Sequence, residues 1–307
     1  MFFRCLKRNI IFFIVPFFIV IGPNLYAEDI GVIGLITGTI GGTYIQIGEN
    51  ISQLAKQNNI QVNVYPSNGS LENIAAVFER DDVQMALVQS DVLGYLRESQ
   101  NKKLEKIEEN IKMMFPLYNE EIHLLARKEI TSIYDLNNKH VGVGGRGSGT
   151  NLTGDLLFEV TNVWPRKKYY LEGVSALRAL ENNQIDAFIY VSGYPVELLQ
   201  NVDASRFHLV PLGEAVLSEY YLSSEIPAGT YSWQEGVVKT VAVKAVLMSS
   251  GFKGKYCNVA RQLANVIYSN MEWLYVHGHY KWHEVNLYYD LNKWDRYECV
   301  AATYDEK

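Results

Sequence analysis

Ile30-Gly31-Val32-Ile33-Gly34-Leu35-Ile36 runs into Thr37-Gly38-Thr39-Ile40-Gly41-Gly42-Thr43-Tyr44. The first stretch is apolar and β-branched, the composition of a buried strand. The second is glycine and small hydroxyls, which reads as a turn. Ile47, Ile51, Leu54 and Ala55 then recur at helical spacing. The same unit follows again. Gln61 to Tyr65 reads as a strand and Pro66-Ser67-Asn68-Gly69-Ser70 as a turn. Leu71, Ile74, Ala75 and Phe78 mark one face of a helix for which Ser70 is the expected N-cap. Met85 to Val88 is a short strand ending in Gln89-Ser90-Asp91, with a further helix from Val92. Strand, loop and helix in repetition call for an α/β fold with a largely parallel sheet.

A second series begins at Ile122 to Ala126 and continues through Val141-Gly142-Val143. The loop Gly144 to Thr150 follows, then a helix carrying Leu152, Leu156 and Leu157. Val174 to Leu180 reads as a helix, and Ala187 to Val191 as a strand ending in Ser192-Gly193-Tyr194-Pro195. The β-branched run Val237 to Met248 is long enough to cross between domains. Residues 97–112 are dense in Lys, Glu and Asn and read as a solvated helix face and linker. Residues 255–295 read as helical, with Trp273, Tyr275, Tyr280, Trp282, Tyr288, Tyr289 and Trp294 expected mostly in packing.

The 307 residues, 48% hydrophobic and 20% charged, predict about two domains. Arg4, Lys7 and Arg8 precede the apolar run Ile10 to Ile21, and Ala27 ends a small-residue site. That is the layout of a secretory signal peptide cleaved after Ala27. The run is shorter than the ~20 residues of a membrane span, although an uncleaved anchor is the alternative. Removing residues 1–27 takes three of the 28 basic residues and none of the 34 acidic ones, so the net charge falls from −6 to −9. Such acidity excludes a non-specific nucleic-acid binder. Cys257 and Cys299 remain, either as one disulfide in an oxidising compartment or as two separate buried thiols.

Three loops share one chemistry: Thr37 to Tyr44, Ser67 to Ser70, and Gly147 to Thr150. Each follows a strand, opens a helix and combines glycine with hydroxyls. Glycine admits a close backbone approach. The helix start presents unpaired N–H groups and partial positive charge. Together they suit a carboxylate or phosphate held between two lobes. No cofactor is implied: Gly144 to Thr150 lacks the Lys of a nucleotide-binding P-loop, and Gly38, Gly41 and Gly42 lack G-x-G-x-x-G spacing. No G-x-S-x-G elbow is present. His279 and His283 have metal-pair spacing without the H-E-x-x-H pattern, so solvent-facing histidines are the plainer reading. Asp91 is either a partner for a ligand ammonium or the N-cap of the next helix.

Thr37-Gly38 with Gly41-Gly42-Thr43-Tyr44, Ser67-Asn68-Gly69-Ser70-Leu71-Glu72-Asn73 and Val88-Gln89-Ser90-Asp91 resemble the TAXI solute receptors, the extracytoplasmic subunits of one branch of the TRAP transporters. The resemblance continues through Asp135-Leu136, Gly147-Ser148-Gly149-Thr150, Gly193-Tyr194-Pro195 and Gly229-Thr230-Tyr231, over roughly residues 30 to 250. It implies a two-lobed periplasmic-binding-protein fold, type II-like, with a ligand cleft and two hinge crossings. One lobe would be 28–120 plus 245–307, the other 121–244. It implies a receptor, not an enzyme, that hands glutamate, glutamine or 2-oxoglutarate to membrane-embedded TRAP permease subunits. The ligand-lining residues carried over are Thr37, Gly42, Thr43, Tyr44, Ser67, Gly69, Ser70, Asn73, Gln89, Asp91, Ser148, Gly149, Thr150 and Tyr194.

The chain departs from the family pattern in lacking Pro between Trp273 and Trp294, and in carrying Ile40 and Ile45 beside the first loop. The alternatives are a periplasmic enzyme of similar lobed fold, which would need a base or nucleophile in the cleft, and a surface antigen or adhesion module with no small-molecule pocket.

Overall fold

The structure is a computed structural model that describes residues 32–98 and 101–305. The expected signal peptide lies outside the described residues. In the first lobe, β1 (Ile33–Ile36), α1 (Thr43–Gln57), β2 (Val62–Tyr65), α2 (Ser70–Glu79), β3 (Met85–Gln89), α3 (Val92–Glu98) and α4 (Lys102–Asn110) follow the strand–loop–helix order of the sequence. Every residue of β1 and β3 is buried, as expected for strands covered on both faces. The apolar stripe Ile47, Ile51, Leu54 and Ala55 turns α1 onto the sheet.

β4 (Ile111–Arg127) then runs for 17 residues into the second lobe. There the chain forms β5 (His140–Gly142), α5 (Gly149–Thr161), β6 (Lys167–Tyr169), α6 (Gly173–Glu181), β7 (Ala187–Ser192), β8 (Phe207–Leu209) and β9 (Leu222–Ile226). β10 (Val238–Ser250) returns it to the first lobe, where α7 (Lys255–Ser269), α8 (Met271–His277) and α9 (Glu298–Asp305) complete the fold.

The sheet order is β2-β1-β3-β10-β4-β7-β5-β6, with β8 beside β4 and β9 beside β10. The flanks are parallel, β1 with β2 and β3, and β5 with β6 and β7. The centre is antiparallel: β10 pairs with β3, β4 and β9, and β4 with β7 and β8. The sheet is therefore mixed, not largely parallel. Two crossings in opposite directions, lying side by side, can pair only antiparallel.

Two hydrophobic cores pack on the faces of the first lobe, one under α1, α7 and α8, the other under α2, α3 and α4. Two more serve the second lobe. Along β4, Tyr118 belongs to the first lobe's core and Ile122 to the second's. Between them stand Asn119, Glu120 and Glu121, which face Lys244, Val243 and Ala242 of β10. The apolar filling thus stops where the chain passes from one lobe to the other.

The C-terminal segment is helical only in part. Gly278 ends α8, because a Cβ there would lie 2.6 Å from the Leu274 carbonyl oxygen and from the Trp282 ring. A single 3-10 turn, Tyr280–Glu284, follows. Trp282 is fully buried and donates to Asn50 Oδ1 at 3.0 Å, while Trp294 donates to the Ser90 carbonyl at 3.1 Å. Tyr280 and Tyr288 are exposed. Cys257 on α7 and Cys299 on α9 are bridged, with Cα atoms 5.3 Å apart and a sequence separation of 42.

The bridge restricts the unfolded chain. Its removal, by reductant or by the double substitution Cys257→Ala and Cys299→Ala, is expected to cost about 2–4 kcal/mol. Denaturant midpoints measured with and without reductant check this, and an unchanged midpoint would show that the bridge adds no stability.

Candidate ligand cleft

The three glycine–hydroxyl loops converge. The starts of α1 and α2 from the first lobe and of α5 from the second surround one cavity of about 90 Å³. Gly42, Thr43, Tyr44, Gly69, Ser70, Gln89, Ser148, Gly149 and Thr150 line it. Ser148 caps α5, its Oγ accepting from the Asn151 N–H at 3.1 Å. Ser70 does not cap α2. Gly69, at φ +121°, takes that position, and Ser70 Oγ accepts from the Gln89 N–H at 3.0 Å, tying the second loop to the end of β3.

The remaining sequence-expected residues are not in the lining. Asn73 is fully buried, and its amide donates to the carbonyls of Thr37 and Leu87, the latter at 2.6 Å. Ser67 Oγ accepts from the Gly69 N–H at 3.0 Å and donates to Asn73 Oδ1 at 2.5 Å. Thr37 Oγ1 donates to the Tyr65 carbonyl at 2.9 Å. These three shape the loops from below. Tyr194 lies outside, its ring 4.1 Å from Lys281 Nζ. Asp91 directly precedes α3, and its Oδ2 accepts from Thr153 Oγ1 of α5 at 2.7 Å. Its Oδ1 is buried with no hydrogen-bond partner among the described residues. Burial pushes the Asp91 carboxyl up to about 6.

The lobes touch across the cleft. Thr43 Oγ1 lies 3.4 Å from Ser192 Oγ, and Thr153 Oγ1 donates to Gln89 Oε1 at 3.4 Å. Glycine is required at the closest approach. A Cβ on Gly149 would lie 2.0 Å from Gln89 Oε1 and 3.0 Å from Ser70 Oγ, and one on Gly69 would lie 3.3 Å from the Gly149 nitrogen. Ile40, by contrast, points into solvent, and neither it nor Ile45 lines the cavity.

Sequence reasoning missed the acidic part of the lining. Glu120 and Glu172 both face the cavity, and no Lys or Arg does. Glu120 comes from the middle of β4 and is 4% exposed. Its Oε2 accepts from the Tyr44 hydroxyl at 2.6 Å. Burial, reinforced by the nearby charges of Asp91 and Glu121, pushes its carboxyl up to about 8 against the opposing Tyr44 hydrogen bond. The available signal was Asn119-Glu120-Glu121 interrupting an otherwise apolar strand. Its neighbour Glu121 faces elsewhere. Lys281, with no exposed side chain, joins Glu121 at 3.1 Å and Glu284 at 2.7 Å behind the crossing.

The histidine pair holds no metal-type cluster. His279 Nδ1 accepts from the Lys281 N–H at 3.2 Å, and His283 stacks on Tyr275. Among the described residues, no three His, Cys, Asp or Glu side chains are grouped to hold a metal ion.

Residues 35–292 match the profile of the NMT1-like family, well over half of the chain. The chain belongs to that family. Its fold recurs in solved structures of low identity. The periplasmic binding protein BugD is matched with a TM-score of 0.54 at 12% identity, over 89% of this chain and 92% of that one. A periplasmic transporter is matched with a TM-score of 0.52 at 13% identity, over 78% of this chain and 83% of that one. This member of the NMT1-like family therefore has the two-lobed fold of the periplasmic binding proteins, with its glycine–hydroxyl loops at the junction of the lobes.

Glu120 holds its proton more firmly folded than unfolded, against a usual value of 4.5. The stability it contributes is full below about pH 4.5 and is lost as pH rises through about 8. Asp91 acts in the same direction, its share being lost as pH rises through about 6. Glu120→Gln is expected to flatten the decline in melting temperature across the neutral range. Thermal melts of both proteins from acid to alkaline pH check this, and parallel curves would show that Glu120 does not titrate there.

Proposed function

We propose that this chain is a periplasmic solute-binding receptor that closes around a small carboxylate. The observation that carries the reading is the convergence of three helix starts, two from one lobe and one from the other, on a single cavity that no basic side chain lines. An anion there would be held by backbone N–H groups and hydroxyls, which fixed dipoles can supply without a salt bridge. The lobes, taken as 28–120 with 245–307 and 121–244, would rotate about the two crossings at Asn119–Glu121 and Lys244. Ligand would favour the closed state through contacts to both lobes at once.

The motif resemblance supports a finer assignment: the TAXI branch, an acidic solute of the glutamate, glutamine or 2-oxoglutarate class, and delivery to TRAP-type permease subunits. The N-terminal sequence supports export with cleavage after Ala27. Among the described residues, no helix is long and apolar enough to cross a membrane.

One observation favours an enzyme instead. A buried carboxyl raised to about 8 in a cleft is suited to general-base work. Solute recovered unchanged after prolonged incubation excludes turnover, and conversion would favour the enzyme.

Titration calorimetry with glutamate, glutamine and 2-oxoglutarate tests the receptor directly, and heat from none of a broad acid and amino-acid panel would sink it. Gly149→Leu separates closure from folding. Its side chain would meet Gln89 and Ser70 of the opposite lobe. Affinity should fall by about tenfold or more, since closure contacts are lost, with the melting temperature little changed. Undiminished binding would show that the lobes need not meet at Gly149.

A further inference from the structure

The cavity is bipolar. One side carries the helix starts, which favour negative charge. The other carries Glu120, whose only hydrogen bond among the described residues is the one donated by Tyr44. Its second carboxyl oxygen has no partner there, and because the residue is almost wholly buried, the cavity is the route to that oxygen. Glu172, the other acidic lining residue, is exposed, so water can satisfy its carboxylate. The buried lysines nearby are committed: Lys281 to Glu121 and Glu284, Lys244 to the Leu117 carbonyl at 3.4 Å. Asp91 has Oδ2 tied to Thr153, and its partnerless Oδ1 belongs to a residue that does not line the cavity. Ionised with no protein cation bonded to it, a buried carboxyl is costly, so Glu120 keeps its proton unless a ligand supplies a cation.

We propose that Glu120 is the ammonium subsite of the cleft, held in orientation by the Tyr44 hydroxyl, so that the solute is a zwitterion with its carboxylate on the helix starts. This rests on the receptor reading and narrows it, to 2-amino acids over 2-oxo acids.

A proton signature follows. The titratable and charged groups that act on Glu120 are Tyr44 from α1, Tyr118 and Glu121 on its own strand, Tyr190 from β7, Asp91 ahead of α3, and Lys281 from the C-terminal segment. Burial keeps the carboxyl protonated up to about 8. An arriving ammonium favours the ionised form, so binding near neutrality releases the proton to solvent.

The test titrates the protein at about pH 6.5, in two buffers of different ionisation enthalpy, so that proton release is read directly. The probes are glutamate, glutamine, serine and alanine, each paired with its 2-oxo counterpart. At least one amino acid should bind about tenfold or more tightly than its 2-oxo partner, the value of one charge-assisted hydrogen bond. Proton release should approach one per ligand. Glu120→Gln should lose both the preference and the release while melting no lower than the unsubstituted protein at that pH. Tyr44→Phe, which keeps the carboxyl but frees it, should weaken the preference by a smaller factor and serves if Glu120→Gln does not fold. A 2-oxo acid bound as well as its amino partner, or a variant that keeps the preference, would overturn the subsite and leave the receptor standing. Binding of no probe at all would overturn both.

Discussion

The structure depends on the pairing of β4 with β10. These two antiparallel strands belong to both lobes at once, so the backbone hydrogen bonds between them hold the halves together. Their ends are buried in apolar cores and cannot slip, because a one-residue shift would turn every core side chain outward. Their middle is different. Asn119, Glu120, Glu121 and Lys244 replace aliphatic packing with polar groups. The register also shifts between Lys244 and Val246, which loosens the ladder locally. A second shift lies between Leu247 and Met248, inside the first lobe.

The same constraint explains why the cleft sits where it does. Helices that follow parallel strands point their starts toward the carboxyl edge of the sheet, and the two flanks present those edges to each other across the crossing strands. The loops meet there because β1, β2 and β5 end there. Close contact between them suits Gly69, whose φ of +121° favours glycine, and Gly149, where a Cβ would crowd Gln89 and Ser70. Asn73 and Ser67 do the supporting work from beneath, and the hydroxyls and N–H groups above are left facing the cavity.

What could be read from the sequence was local. Glycine and hydroxyls between an apolar run and a helical stripe carry their own geometry, so the loops and most elements of the first lobe are legible. So is the length of Val237 to Met248, a strand longer than one lobe requires. The direction of the sheet's centre was not legible, since pairing between residues more than a hundred positions apart leaves no local mark. Glu120 was hidden for the same reason. Its meaning arises only when β4 is set against α1, so that Tyr44 meets it. Asp91 shows the converse. Its place after a strand left it open as a ligand partner or as the N-cap of α3, and α5 of the other lobe supplies a hydroxyl to one of its oxygens.

The C-terminal segment ties the two lobes together at a further point. It is stapled to α7 and packs in the first lobe's core, yet Lys281 reaches past the crossing to Glu121 and lies against Gly193 and Tyr194 of the second lobe. The two crossing strands alone would allow the lobes to swing or to twist. A third point of attachment, behind them and off their line, leaves one edge pinned while the opposite edge travels. Solute would then enter from one side, past the starts of α1 and α5, and the rear of the molecule would keep nearly the same face whether the cleft is open or shut.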